Sequence, residues 1–270
     1  MTEPVEQDNT QLIKYPRTRH IQGSRLQPGD EDLDSVPLET IKGRTLVIEE
    51  KMDGANSAIS FSQTGDLHLQ SRGHFLTGGT REKHFALFKQ WAQAHRRLLW
   101  EVLGSRYIAY GEWLYAKHTI FYDRLPHYWL EFDIYDRQRQ QFLSTPRRSD
   151  LLRNSPIVSV MVVLSGTIGN TKQLAQLVAP SQFIAQGHLE RLQTLCEAQG
   201  LDAERTLRET DSSLDMEGLY IKIEEGSAVI QRYKFIRPSF LTSVLDSQGH
   251  WINRPIVPNQ LLAGVDLFGG

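Results

Sequence analysis

Lys51 stands two residues before an Asp-Gly pair, at the end of the apolar run Leu46-Val47-Ile48, in the string Glu49-Glu50-Lys51-Met52-Asp53-Gly54. A lysine amine becomes a covalent nucleophile only where its surroundings make the free base available. Alone, the string favours a strand entering a hairpin with Lys51 solvated, because Asp-Gly is a strong turn signal. Four further segments carry charge inside otherwise apolar runs. They are Leu69-Gln70-Ser71-Arg72-Gly73, Tyr110-Gly111-Glu112-Trp113-Leu114-Tyr115 and Leu130-Glu131-Phe132-Asp133-Ile134-Tyr135-Asp136, then the pair Met216-Glu217-Gly218-Leu219-Tyr220-Ile221-Lys222 and Gln231-Arg232-Tyr233-Lys234-Phe235-Ile236-Arg237. Charge embedded in a buried strand is costly unless it is paired or used.

Periodicity indicates the elements that position these residues. Residues 45–51 read as a strand and 55–61 as its partner around Asp53-Gly54; 67–72 alternates like a third strand. Residues 82–103 have helical spacing, with Phe85, Phe88, Trp91, Ala92, Leu98, Leu99 and Val102 on one stripe, which reads as core. Strands are expected at 107–114, 128–136 and 158–164, and helices at 145–154, 172–178 and 187–198. A hairpin of 219–223 and 229–235 is expected around Glu225-Gly226. Clustered strands with intervening helices predict an α+β fold built on antiparallel sheets, and no linker divides the chain. Alternation puts Arg232 and Lys234 on one face, and Lys222 opposite Glu217, Leu219 and Ile221, so Lys222 is left out of the candidate site.

The chain has 270 residues, enough for one large domain or two small ones. No run of 18 apolar residues is present, so no membrane association is expected. The polar start MTEPVEQDNT lacks the apolar stretch of a signal peptide, and the single cysteine, Cys196, rules out an internal disulfide. A cytoplasmic location is expected. The net charge of −2 argues against indiscriminate nucleic-acid binding. Its distribution is uneven: residues 14–25 carry Lys14, Arg17, Arg19, His20 and Arg25 and no acid, and Asp30, Glu31, Asp32 and Asp34 follow. The basic segment is either a phosphate-contacting arm or a solvated face balanced by the adjoining loop. His68, His74, His84 and His118 lack zinc-ligand spacing with any cysteine, and Thr77-Gly78-Gly79-Thr80 lacks the Gly-Lys-Ser/Thr ending of a phosphate-binding loop.

In order and spacing, the charged segments resemble the nucleotidyltransferase motifs of the ATP-dependent RNA and DNA ligase and mRNA-capping superfamily. The resemblance covers roughly residues 45–240. Lys51-Met52-Asp53-Gly54 matches the adenylated-lysine motif, and Ser71-Arg72-Gly73 resembles the arginine motif after it. Gly111-Glu112, Phe132-Asp133-Ile134, Glu217-Gly218-Leu219 and Arg232-Tyr233-Lys234 follow in the family's order. The form of Gly111-Glu112 and of Glu217-Gly218-Leu219 is most similar to the RNA ligase family of the nick-sealing phage type.

That resemblance implies an adenylation (nucleotidyltransferase) core at 45–240, of antiparallel sheets flanked by helices in an ATP-grasp-like arrangement. Residues 1–44 would be a basic arm and lead-in of the same domain, and 241–270 a short tail, without a C-terminal OB-fold domain. It implies ATP as AMP donor and Mg²⁺ or Mn²⁺. Lys51 would form a lysyl-AMP, its pKa lowered by the metal and by the cations Lys234 and Arg232. AMP would pass to an RNA 5′-phosphate, which is then sealed to a 3′-hydroxyl in RNA repair. Asp53, Glu112 and Glu217 would hold the metal mostly through water, with Glu112 also near the ribose. Phe132 would stack on adenine, Glu50 read its amino group, and Arg72 contact ribose or an RNA-side phosphate. Lys234 and Arg232 would face the phosphates, Arg232 departing from the usual lysine. Residues 115–119 would border the nucleotide or RNA. The partners implied are RNA with 5′-phosphate and 3′-hydroxyl ends and an end-healing kinase-phosphatase. A DNA ligase, a capping-type nucleotidyltransferase and a non-catalytic RNA-end or nucleotide sensor are the alternatives.

Overall fold

The computed structural model describes residues 11–26, 35–240 and 255–269. The acidic run at Asp30, Glu31, Asp32 and Asp34 and the first half of the expected C-terminal tail lie outside the described residues. In chain order the elements are β1 (Arg19–His20), β2 (Leu46–Lys51), β3 (Ala55–Phe61), β4 (Leu67–Ser71), α1 (Ala86–Ala94), α2 (Arg96–Leu103), β5 (Tyr107–Trp113) and β6 (Trp129–Asp136). There follow β7 (Gln141–Leu143), α3 (Thr145–Leu152), β8 (Val158–Ser159), β9 (Val162–Gly166), α4 (Thr171–Gln176), α5 (His188–Ala198), α6 (Ala203–Arg208), β10 (Gly218–Glu225) and β11 (Ala228–Ile236).

The strands run in the order β4-β3-β5-β6-β7-β11-β10-β2-β9, with β1 added to β11 and β8 to β6. Neighbours along the path are antiparallel, and the two additions are parallel. The expected α+β architecture on antiparallel sheet is therefore present. The short β7 joins two halves: β4-β3-β5-β6, and β11-β10-β2-β9.

β2 and β3 do not pair as the expected hairpin around Asp53-Gly54. β2 pairs with β10 and β9, whereas β3 pairs with β4 and β5. Between Lys51 and Ala55 the chain crosses from one half of the sheet to the other. Gly54 is needed for close approach rather than for a turn, since a Cβ there would lie 2.7 Å from both Leu114 Cδ2 and the Trp113 carbonyl oxygen. The strand expected over 158–164 is split in the same way, β8 joining β6 and β9 joining β2. The helix expected over 82–103 breaks at His95, and α6, β1 and β7 were too short to register as periodic runs.

Each half has its own core, and apolar burial is what holds it. The helical aromatics Phe85, Phe88 and Trp91 pack with Leu99, Leu103, Phe61, Trp113 and Trp129, as the stripe predicted. On the other half Leu46, Ile48, Leu219, Ile221, Ile223, Tyr233 and Phe235 pack against Ile21 and Leu174. The segment after β5 is pinned from the chain's far end: Asn259 Nδ2 donates to the Leu114 carbonyl (2.6 Å), and its Oδ1 accepts from Tyr122 N–H (2.9 Å). Among the described residues no helix is long and apolar enough to cross a membrane.

Candidate active site

A cleft of about 1270 Å³ opens where the two halves face each other. Lys51, Met52, Asp53, Gly54 and Asn56 line it from the crossing, Glu112 and Phe132 from β5 and β6, and Glu217, Tyr220 and Lys234 from β10, its lead-in and β11. Arg72 stands at its edge. The fold thus brings together Lys51, Asp53, Arg72, Glu112, Phe132, Glu217 and Lys234 from the residues singled out in the sequence.

Lys51 Nζ donates to both carboxylate oxygens of Glu217, each at 2.7 Å. The lysine side chain is 23% exposed and Glu217 1%, so the amine is reachable from the cleft while its partner is sealed. Glu217 is placed by Gly218, which follows it directly: a Cβ at Gly218 would sit 2.0 Å from the Phe235 carbonyl oxygen, so only glycine lets β10 begin here. Burial pulls the Lys51 pKa down, but Glu217, Glu112 and Asp53 outweigh it and hold the amine above its ordinary value. The lowering expected from a divalent metal together with Lys234 and Arg232 is therefore not supplied by the surrounding side chains alone.

Those acids are unequal. Burial pushes Glu112 up to about 8, with Glu217 and Asp53 adding to the rise and Lys51 and the Gly54 amide opposing it. Asp53 Oδ2 accepts from the Thr119 and Ile120 amides (2.7 and 2.8 Å), and its own N–H donates to Tyr122 Oη (2.9 Å). One oxygen of Asp53 therefore shapes the 118–120 turn, which carries His118 into the cleft wall. Among the described residues no three His, Cys, Asp or Glu side chains converge as direct metal ligands.

Phe132 owes its position to a bulge. Tyr110 pairs with Asp133 and Gly111 with Glu131, leaving Phe132 as the extra residue of β6. Bulges next to functional sites re-aim side chains. The Phe132 carbonyl, out of the ladder, accepts instead from Arg148 and Lys222. Its ring meets Tyr15 edge-on (centroids 5.1 Å, 79°) and lies 5.9 Å from Tyr220.

Arg232 is placed differently from its expectation and is not part of the cleft lining. Its Nε donates to Asp133 Oδ2 at 2.8 Å, and its guanidinium lies 3.7 Å from the Phe142 ring centroid. Arg232 shares a face with Lys234, but a buried acid behind Phe132 captures it. Lys222 belongs to the same rear group, 2.8 Å from Glu49 and 3.2 Å from Asp133. It pairs with Val47, and so shares the face of Lys51. Lys222 lies opposite Leu219 and Ile221 and outside the cleft lining, as expected; only Glu217, which precedes β10, departs from the strand's period. Arg148 completes the group against Glu49 and, at 3.6 Å, Glu131.

Glu50 borders the cleft, and its register opposite Leu219 sets its side chain on the strand face opposite to that of Lys51. Burial pushes it up to about 7, moderated by the nearby Ser181 hydroxyl, and no hydrogen bond of ordinary geometry reaches either oxygen. Glu50 and Phe132 line the same cleft, from β2 and from β6.

Sequence reasoning missed Tyr15 and Tyr220. The Tyr15 hydroxyl donates to Asp133 Oδ2 at 2.5 Å and contacts the Tyr220 hydroxyl. The available signals were an aromatic inside the basic segment and another inside the Glu217-Gly218-Leu219 strand. Nothing local in sequence joins either to Asp133.

With this geometry in place, comparison with known proteins gives the class. The chain belongs to the RNA ligase family, whose profile matches residues 44–236. No curated protein matches it. Among solved structures, a variant of Naegleria gruberi RNA ligase with AMP and Mn is similar at a TM-score of 0.50 and 16% identity, covering 83% of this chain and 56% of that one. Another variant of the same ligase, with ATP and Mn, gives 0.47 and 18%, covering 74% and 51%. At such identity the likeness is one of fold, and this chain spans about half the length of that ligase.

Proposed function

We propose that this protein is an ATP-dependent RNA ligase that carries AMP on Lys51. The observation that supports it most is the Lys51 amine held 2.7 Å from both oxygens of a sealed Glu217, at the floor of a cleft walled by Glu112, Asp53, Phe132 and Lys234. In the first step Nζ attacks the α-phosphorus of ATP. The ammonium loses one proton to solvent before the attack and a second after it, the nitrogen keeping one; a nitrogen–phosphorus bond forms and the bond to pyrophosphate breaks. Glu217 orients the amine until then. Lys234 and Arg72 face the phosphates, and Phe132 offers its ring to the base, the roles that the motif resemblance implies. Catalysis here rests on positioning and charge compensation.

Glu112 fits a cation: its carboxyl is driven toward the neutral form beside two further acids, and a positive charge would let it ionise. A divalent ion, Mg²⁺ or Mn²⁺, held through its waters by Asp53, Glu112 and Glu217, would supply that charge and neutralise phosphate oxygens. AMP then passes to an RNA 5′-phosphate, and a 3′-hydroxyl displaces it. RNA repair downstream of an end-healing kinase-phosphatase is the setting such ends imply.

Incubation with α-labelled ATP and Mg²⁺ or Mn²⁺, followed by a denaturing gel, tests this. Label on the wild-type protein is expected; its absence would sink the reading. Label from GTP alone would indicate a capping-type enzyme. Equal sealing of pre-adenylated nicks with a DNA 3′-hydroxyl end would remove the RNA assignment, since the 2′-hydroxyl is what tells the two apart.

A further inference from the structure

We propose that residues 14–19 form a docking rail for the phosphate backbone of the RNA strand whose end enters the cleft, an inference that rests on the ligase reading above. The segment crosses the mouth of the cleft and is tied to both halves of the sheet. At its start the Ile13 carbonyl accepts from Tyr110 Oη (2.8 Å) and Gln70 Nε2 (2.9 Å), on β5 and β4. In the middle Tyr15 is fastened to Asp133. At its end β1 pairs with β11, Arg19 opposite Tyr233 and His20 opposite Lys234, and Ile21 N–H donates to the Lys234 carbonyl at 2.9 Å.

This anchoring sorts the side chains. Tyr15, Thr18 and His20 are buried, whereas Lys14 and Arg17 are exposed; Arg19, opposite Tyr233, is exposed on the other face of the sheet. Residues 11–26 contain no acid. Arg17 lies on the cleft wall, with Arg72 and His74 also at the cleft and exposed. A strand passing between these groups meets cations on both sides as its end approaches Lys51. Because the rail's backbone is already fixed, little conformational entropy is lost when it takes up phosphates. The chain's net charge of −2 agrees with a local rather than general attraction for nucleic acid. The phosphates of ATP are the other source of the same chemistry, and the test separates the two.

The full chain, wild type and Lys14→Ala/Arg17→Ala, is titrated without ATP against a fluorescent nicked RNA duplex with a 5′-phosphate at the nick, over a range of salt. The control is Arg97→Ala/Arg208→Ala, which removes the same charge from exposed positions on α2 and α6. Each lost phosphate contact lowers the slope of log K against log salt by about 0.9, so the arm variant's slope should fall by about 2 and the control's should not. An unchanged slope in the arm variant, the result if these cations only balance the neighbouring acidic run, overturns the rail; so does an equal fall in the control. A raised KM for ATP in Lys51 labelling, with the RNA slope unmoved, assigns the cations to the nucleotide and also overturns it. RNA binding needs no lysyl-AMP. A wild type that takes no label therefore fails the ligase reading, while the slopes still decide the rail.

Discussion

Two groups of buried charge lie back to back in this fold, on either side of Phe132. The rear group sets Glu49, Glu131 and Asp133 against Arg148, Lys222 and Arg232, three acids facing three bases. The cleft group sets Asp53, Glu112 and Glu217 against Lys51 and Lys234. In the rear, burial would raise Asp133, but Lys222, Arg232 and Arg148 hold it down to about 2. In the cleft, burial wins at Glu112, which rises to about 8. Glu131 is the rear exception, raised to about 7 by burial against the pull of Arg148. The comparison teaches that charges with protein partners build the wall, and acids left short of a cation mark where a ligand must complete the balance. The two are linked, because Arg148 and Lys222 both hold the Phe132 carbonyl.

The comparison breaks most visibly at its rear. Asp133→Ala leaves Lys222 and Arg232 without their shared acid, and a loss of roughly 3–5 kcal/mol is expected in urea unfolding. A loss under 1 kcal/mol would show that the rear group is not a balanced network. In the cleft the opposite pattern is expected. Glu112→Gln should leave stability equal or higher while slowing Lys51 labelling about 100-fold; parallel loss of both would make Glu112 a structural residue.

Acidity sharpens the contrast. A carboxyl whose folded pKa is raised stabilises the fold below its unfolded pKa and loses that contribution as pH rises through the folded value. For Glu112 the window runs from 4.5 to about 8. Wild type should therefore lose on the order of 2 kcal/mol relative to Glu112→Gln across it, allowing for solvent in the cleft. Paired melting curves at pH 5 and 8.5 measure this, and parallel pH dependence of the two proteins would contradict it. The smallest effect is expected at the link between the groups: Tyr15→Phe removes one hydrogen bond to Asp133 and should cost about 1 kcal/mol in the same unfolding assay.

Much of this site was legible because its chemistry demands particular residue types at strand ends. Lys51, Glu217 and Glu112 stand out as charges in apolar runs, and Gly54 and Gly218 mark places where backbone and side chains touch. What was not legible is non-local. Asp53-Gly54 looks like a hairpin turn, and only the pairing of β2 with β10 and β3 with β5 shows a crossing between halves. Arg232 reads as a second phosphate-facing cation until Asp133, 99 residues away, is seen to hold it. Glu50 sits next to Lys51 in sequence, and for that reason points away from it in a strand.

The most direct test of the account is to map the adduct. After incubation with ATP and Mg²⁺, the intact protein should gain the mass of a single AMP, peptide sequencing should place it on Lys51, and Lys51→Ala should gain none. An adduct on Lys234 or Lys222, or one that persists in Lys51→Ala, would contradict it.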